Sequence, residues 1–147
     1  MSEPSVIIDA GPLVAMIRKE DEYHEWAVRT VDALQPPFLT SESVISETAF
    51  LLHRHGGGIA ELAAMFQREA LRVVLDFGNE WPHLARLMAK YSTLPSKKHM
   101  SLADATLVRL AELHDSASVM TLDRDFRIYR KHARRQIPLI APWGGAP

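Results

Sequence analysis

Apolar residues along this chain fall into two patterns. Short continuous runs, such as "SVIID" at 5–9 and "ASVMTL" at 117–122, read as buried strands. Longer stretches repeat an apolar residue every three or four positions and read as amphipathic helices. In order, the pattern predicts a strand at 5–9 and a helix with Pro12 in its first turn, running to about 19. A second helix covers 22–34 and is closed by Pro36 and Pro37. A strand at 37–41 follows, then a helix from about 43 that stops at Gly56-Gly57-Gly58. The remainder reads as helix 59–70, strand 71–77, helix 79–91, loop 93–100, helix 101–114, strand 117–122, short helix 125–133 and strand 137–140, with "APWGGAP" as a loose tail.

Strands that alternate with helices in this way predict an α/β fold, a mostly parallel central sheet flanked by helices in three layers. No internal repeat or linker divides the chain, so one domain over 1–147, with a core from about 4 to 141, is expected. Ligands of such folds gather at the carboxyl ends of the strands.

Four acids break the pattern. Asp9 ends the first apolar run, and Asp123 follows the "SVMTL" run. Glu47 lies three residues from Val44 and four from Leu51, which puts it on the stripe Val44, Thr48, Leu51, Leu52. Asp104 has Leu107, Val108 and Ala111 at i+3, i+4 and i+7. A buried carboxylate without a partner costs several kcal/mol or takes up a proton. No Lys or Arg is placed on the same stripes to neutralise these. A set of acids meeting at one sheet edge is made tolerable by a divalent cation, and an all-oxygen set suits Mg²⁺ or Mn²⁺ better than Zn²⁺. Such an ion activates water and steadies a phosphoryl transition state, so the chemistry implied is phosphodiester hydrolysis.

Each acid also has a plainer reading. Asp9 caps the helix that follows. Ser101 and Asp104 form an S-x-x-D capping box. Glu47 reaches solvent if its helix is turned slightly, and Asp123 is a turn residue. These readings weaken together, because all four acids map to one end of one sheet.

Composition removes some chemistry. The 147 residues contain no cysteine, which excludes disulfides, thiolate metal sites and cysteine nucleophiles. The net charge of −1 gives no global attraction to nucleic acid or membrane. No apolar run reaches the ~18 residues of a membrane span, and "MSEPS" lacks the features of a secretory signal. The expectation is a soluble, cytoplasmic protein with no membrane partner. One charge run stands out: "RDFRIYRKHARR" at 124–135 carries Arg124, Arg127, Arg130, Lys131, Arg134 and Arg135 beside the proposed site. It reads either as a surface for RNA phosphates, with Tyr129 available for stacking, or as a solvated basic helix.

The blocks "VIIDAGPLVA", "DEYHEWAV", "SESVISETAFLL", "SLADATLVRLAE" and "SVMTLDRDF" together resemble a PIN domain of the VapC type, the toxin of toxin–antitoxin pairs. The resemblance spans most of the chain and identifies Asp9, Glu47, Asp104 and Asp123 with the family's four acids, with Thr121 as the neighbouring hydroxyl. It favours Asp123 over Asp125 for the fourth corner and leaves Asp125 as an outer or water-bridged ligand. It implies metal-dependent endoribonuclease activity leaving a 5′-phosphate and a 3′-hydroxyl, a homodimer, and a cognate antitoxin partner. His24 falls in the shared "DEYH" block without an evident role.

Other features are weaker. The histidines form no metal pair on one helix face, and the glycine triplet follows a helix, so it is a stop and not a phosphate cradle. Arg18 and Lys19 either extend a substrate groove or complement the end of the first helix. Trp26 and Trp81 suit a core or a dimer interface, and the three tryptophans are too scattered for a stacking platform. Two competing readings stand beside the nuclease. One is a catalytically silent PIN scaffold that binds a partner protein. The other is a phosphotransfer domain, which needs a second acid beside Asp9 that "DAGPL" lacks.

Overall fold

The apolar run after Ser5 forms strand β1 (Val6–Ile8), buried at every residue. The computed structural model describes residues 4–143. Strands β2 (Phe38–Thr40), β3 (Leu71–Val73), β4 (Ser118–Met120) and β7 (Leu139–Ile140) join β1 in one sheet, in the order β3-β2-β1-β4-β7. Every pairing in it is parallel, with Val6 opposite Phe38 on one side and Ser118 on the other. Around it lie helices α1 (Ala10–Ile17), α2 (His24–Asp32), α3 (Glu42–Arg54), α4 (Ile59–Gln67), α5 (Phe77–Lys90) and α6 (Leu102–Leu113). This is the three-layer α/β arrangement the alternating pattern predicts.

The helix boundaries have local causes. Ser41 and Ser101 accept a hydrogen bond from the backbone N–H of Val44 and Asp104, capping α3 and α6. At the far end of α3, Gly56, Gly57 and Gly58 all take positive φ, which stops the helix. Helix α6 buries Ala103, Ala105, Thr106, Leu107, Val108, Leu110 and Ala111, and the small members of that set let it lie against β1 and β4. A buried polar link sets it against its neighbour: Ser41 Oγ and Thr106 Oγ1 are 2.7 Å apart, and Thr106 also donates to the Ala103 carbonyl. The helices that carry Glu47 and Asp104 are thereby aligned.

Three segments differ from the expectation. The strand expected over 71–77 stops at Val73, because Asp76 caps a helix that already starts at Phe77. Residues 125–133 are not a helix: a 3₁₀ turn (Arg124–Arg127) leads into an antiparallel pair, β5 (Arg130–Lys131) with β6 (Arg135–Gln136). The reason is visible in the burial. Exposed Ile128, buried Tyr129, half-buried Arg130, buried Lys131 and exposed His132 alternate with period two, and His132 and Ala133 turn the chain with positive φ. Nor is the end of the chain loose up to Trp143. The indole Nε1–H donates to the Leu122 carbonyl at 3.2 Å. Residues 144–147 of the expected tail lie outside the described residues.

Candidate active site

The sheet order reverses beside β1: β2 and β3 extend to one side, β4 and β7 to the other. A crevice opens at the carboxyl ends of strands where connections diverge in this way. Asp9 is the first residue past β1, tied to β4 by its N–H on the Met120 carbonyl at 3.0 Å, and it is 7% exposed. Its Oδ1 accepts the Ala10 N–H at 2.7 Å, so it does cap α1. Its Oδ2 accepts the Thr121 hydroxyl at 2.7 Å. The same Thr121 oxygen accepts the Asp123 N–H at 3.0 Å. One buried hydroxyl at the end of β4 thus fixes the acid of β1 and the backbone of the acid that follows β4. Asp123 in turn accepts the Asp125 N–H at 2.9 Å and caps the 3₁₀ turn.

Asp104 shows only half of the expected capping box. Its N–H is held by Ser101, but its Oδ2 takes the phenolic proton of Tyr129 at 2.8 Å. Tyr129 is fully buried, packed edge-on by Phe126 and Tyr91 at centroid distances of 5.0 and 5.1 Å. It is therefore not available for stacking on a base. Burial and the neighbouring Asp104 charge push its pKa far above the ordinary phenol range, which keeps it a donor.

Glu47 also departs from the expectation. Val44, Thr48 and Leu52 are buried, but Glu47 is exposed, and Leu51 is half-buried. The inward stripe runs i, i+4, i+8, and Glu47 lies roughly 100° around the helix from its middle. It stands on the rim of the crevice rather than under it.

Asp9, Glu47, Asp104, Asp123 and Asp125 line one cavity of about 520 Å³, together with Gly11, Leu51, Ser96, Lys98, Leu122 and Arg124. Gly11 matters for space: a Cβ there would meet the Leu122 side chain at 3.1 Å. The larger neighbouring groove, about 820 Å³, shares only Glu47 among these acids and is walled by Phe50, Leu75, Phe77 and Leu102. The smaller cavity is the one that gathers all five acids.

Its carboxylates are not ion-paired: among the described residues, ion pairs join Arg109 to Glu80 and Glu112, and Lys131, His132 and Arg135 to Asp115; none reaches the cavity acids. Burial raises Asp9 to about 7, against the pull of Thr121 and Ala10 and with the repulsion of Asp104 and Glu47. Burial raises Asp104 to about 6, opposed by the Tyr129 hydrogen bond and reinforced by the charges of Asp123 and Glu47. Glu47 is raised as well, by partial desolvation of its carboxyl at the rim and then by Asp123.

Among the described residues no three carboxylates close on one point as a ready-made ion cage. The set is open. That suits Mg²⁺, which keeps several waters and takes only one or two carboxylates directly. A set of candidate donors made of carboxylates, with no histidine in the lining, fits a hard dication.

The basic segment divides into different roles. Arg124 lines the acidic cavity. Arg127 and Arg124 both lie over the Trp143 ring, at 4.9 and 5.0 Å. Arg130 is committed elsewhere: its Nη1 donates to the carbonyls of Arg127, Ile128 and Tyr129, and it lines a separate cleft with Arg86 and Lys90. Lys131 is buried on the Asp115 carbonyl. Arg18 and Lys19 line a third cleft beside the glycine triplet, apart from the acids.

Some residues of the site carry no local signal in sequence. Tyr129 is twenty-five positions from the acid it holds. Ser96, which donates to Asp125 at 3.2 Å, and Lys98 come from a loop that reads as a plain connection. His24 gains a role: its ring Nδ1 meets the Ala15 carbonyl at 2.7 Å, which pins α2 to α1. Trp26 packs against the core, and Trp81 is exposed beside Phe77.

Known proteins carry the same architecture. The model of the PIN domain family matches residues 6–132. Ribonuclease VapC26 of Mycobacterium tuberculosis (strain ATCC 25618 / H37Rv) is 28% identical over 123 residues, covering 81% of this chain and 87% of that protein. The crystal structure of Mycobacterium tuberculosis VapC20, a toxin that cleaves the sarcin–ricin loop, superposes with a TM-score of 0.65 over 84% of this chain and 94% of that one. At 23% identity the second likeness speaks to the fold.

Proposed function

The chain belongs to the PIN domain family, and we propose that it is a metal-dependent endoribonuclease, the toxin of a toxin–antitoxin pair. One observation carries this reading: acids from four separate elements line one cavity at the sheet's switch point, and none is ion-paired among the described residues. A silent binding scaffold has no use for several raised carboxylates without ion pairs in one place. The similarity to Ribonuclease VapC26 supports RNA as the substrate class.

In this reading Asp9, Asp104 and Asp123 hold Mg²⁺ or Mn²⁺, with Asp125 as an outer ligand and Glu47 completing the set. Bound there, the dication lowers the pKa of water and offsets charge on the scissile phosphate. The chain's own part is preorganisation and proton transfer. Thr121 and Ala10 orient Asp9, and Tyr129 orients Asp104. Glu47, at the rim with a raised pKa, aligns the attacking water and accepts its proton on a carboxylate oxygen. The water oxygen bonds to phosphorus, the bond to the 3′ oxygen breaks, and that oxygen leaves as a hydroxyl after taking a proton from solvent. The products are a 5′-phosphate and a 3′-hydroxyl.

The nuclease unit of this proposal is a single domain, working in the cytoplasm as a homodimer and restrained by a cognate antitoxin. The test is direct. Purified protein with Mg²⁺ or Mn²⁺ cleaves single-stranded RNA to 5′-phosphorylated products, chelation stops it, and Asp104→Asn removes cleavage while the far-ultraviolet circular dichroism is unchanged. Full cleavage by Asp104→Asn, or in excess chelator, would falsify the assignment.

A further inference from the structure

The site so far is almost entirely negative, yet its proposed substrate is a polyanion. A phosphodiester approaching the cavity meets carboxylates first, and a cation at the lip is needed to draw it in. Among the described residues two cations line the cavity, Lys98 and Arg124, and of the two Arg124 brings the planar guanidinium suited to a phosphate. It stands between Asp123 and Asp125 in sequence, but among the described residues it pairs with neither. Its guanidinium carbon lies 5.0 Å from the centroid of the Trp143 ring instead. Arg127 rests on the same indole at 4.9 Å, and its buried Nε has no hydrogen-bond partner. The indole is itself anchored, through Nε1 to the carbonyl of Leu122, whose side chain lines the cavity.

Resting on the ribonuclease reading above, we propose that Trp143 is a positioning residue: it holds Arg124 at the lip of the acidic cavity as the cation that receives an RNA phosphate. The chemistry favours this arrangement. Stacking on an aromatic ring engages the face of a guanidinium and leaves its N–H edge free for two parallel bonds to phosphate oxygens. A long side chain left in solvent is instead free to fold back onto an adjacent carboxylate, and it loses more rotamer freedom when it binds. Two positive groups on one indole also repel each other, and an anion at the lip relieves that repulsion.

The test is a double-mutant cycle on RNA binding, in an Asp9→Asn background so that cleavage does not interfere. The probe is a fluorescein-labelled single-stranded oligoribonucleotide, titrated at several salt concentrations. Trp143→Leu, which keeps apolar bulk without a π face, weakens binding about three- to tenfold and lowers the salt slope by about one, as Arg124→Gln does. In the Arg124→Gln background, Trp143→Leu has no further effect. Trp143→Phe, which keeps a π face but not the N–H, retains most of the affinity. With Asp9 restored, Trp143→Leu raises KM for RNA and leaves kcat within about twofold. The proposal is overturned if Trp143→Leu leaves binding unchanged, if its effect adds fully to that of Arg124→Gln, if Phe fails as badly as Leu, or if no RNA binds even at low salt. Coupled binding without cleavage by the wild type would instead count against the catalytic reading and leave this one standing.

Discussion

Tyr129 donates its phenolic proton to Asp104 at 2.8 Å, from a buried ring wedged between Phe126 and Tyr91. The bond joins the start of α6 to the residue before β5 and fixes the direction of one carboxylate of the site. Removing it leaves the ring packing intact and frees the acid. Tyr129→Phe is expected to lower kcat about 10- to 100-fold, the usual effect of losing an orienting partner. It also costs about 1.5–3 kcal/mol of stability, as for a hydrogen bond to a charged group. Steady-state kinetics with a thermal melt check both; unchanged kcat would mean that Asp104 needs no orientation.

Thr121 has two duties, as donor to Asp9 and acceptor from the Asp123 N–H. Thr121→Ser keeps the hydroxyl and is expected to stay within about tenfold of wild-type activity. Thr121→Val keeps the shape but strands a buried carboxylate oxygen and a backbone N–H, at about 1–3 kcal/mol for each group left unsatisfied. It is expected to be nearly inactive and to melt several degrees lower. Equal behaviour of the two variants would remove the hydroxyl from the site.

The raised carboxyls give stability a pH dependence with a definite sign. Asp9 is pushed up to about 7 and Asp104 to about 6 by burial, both from 3.8, so across that window the folded chain binds more protons than the unfolded one. Their contribution to stability is therefore fully present below about pH 4, falls as pH rises towards about 7, and is flat above. Metal-free Asp9→Asn, whose amide still caps Ala10, is expected to melt higher than wild type at about pH 8, and this advantage shrinks at about pH 5. A dication binds the ionised form, so if the proposed site is right, Mg²⁺ or Mn²⁺ is expected to raise the wild-type melting temperature more at the higher pH. Calorimetry at both pH values, with and without metal, decides it; an Asp9→Asn variant less stable than wild type at about pH 8 contradicts the burial argument.

Arg130 is spent on the backbone, with Nη1 donating to three carbonyls. Arg130→Gln is expected to reduce stability by about 1–2 kcal/mol while leaving RNA affinity within about twofold. A loss of affinity with no loss of stability would restore it to the substrate surface.

Periodicity and turn chemistry were enough to determine most elements and the α/β class, because burying an apolar run on a strand or one face of a helix is a local demand. They also marked Asp9, Asp104 and Asp123, since a carboxylate at the end of a buried run or on an apolar stripe is costly wherever the chain goes. The plainer readings of these acids hold beside the functional one: Asp9 caps α1, and Asp123 caps the 3₁₀ turn. In both acids Oδ1 serves the backbone, and in Asp9 Oδ2 accepts the Thr121 hydroxyl.

Tertiary structure alone decided the rest. Glu47 sits on the rim because the orientation of α3 follows its packing partners, which include the Ser41–Thr106 link, and a stripe tolerates a wide range of rotation. The segment after Phe126 pairs as strands instead of coiling, because Tyr129 and Lys131 are both drawn inward, one to Asp104 and one to Asp115. Which arginines stay free depends on carbonyls and an indole that meet them only in the folded chain. Side-chain type and spacing encode where charge is expensive; the long-range contacts decide which partner answers it.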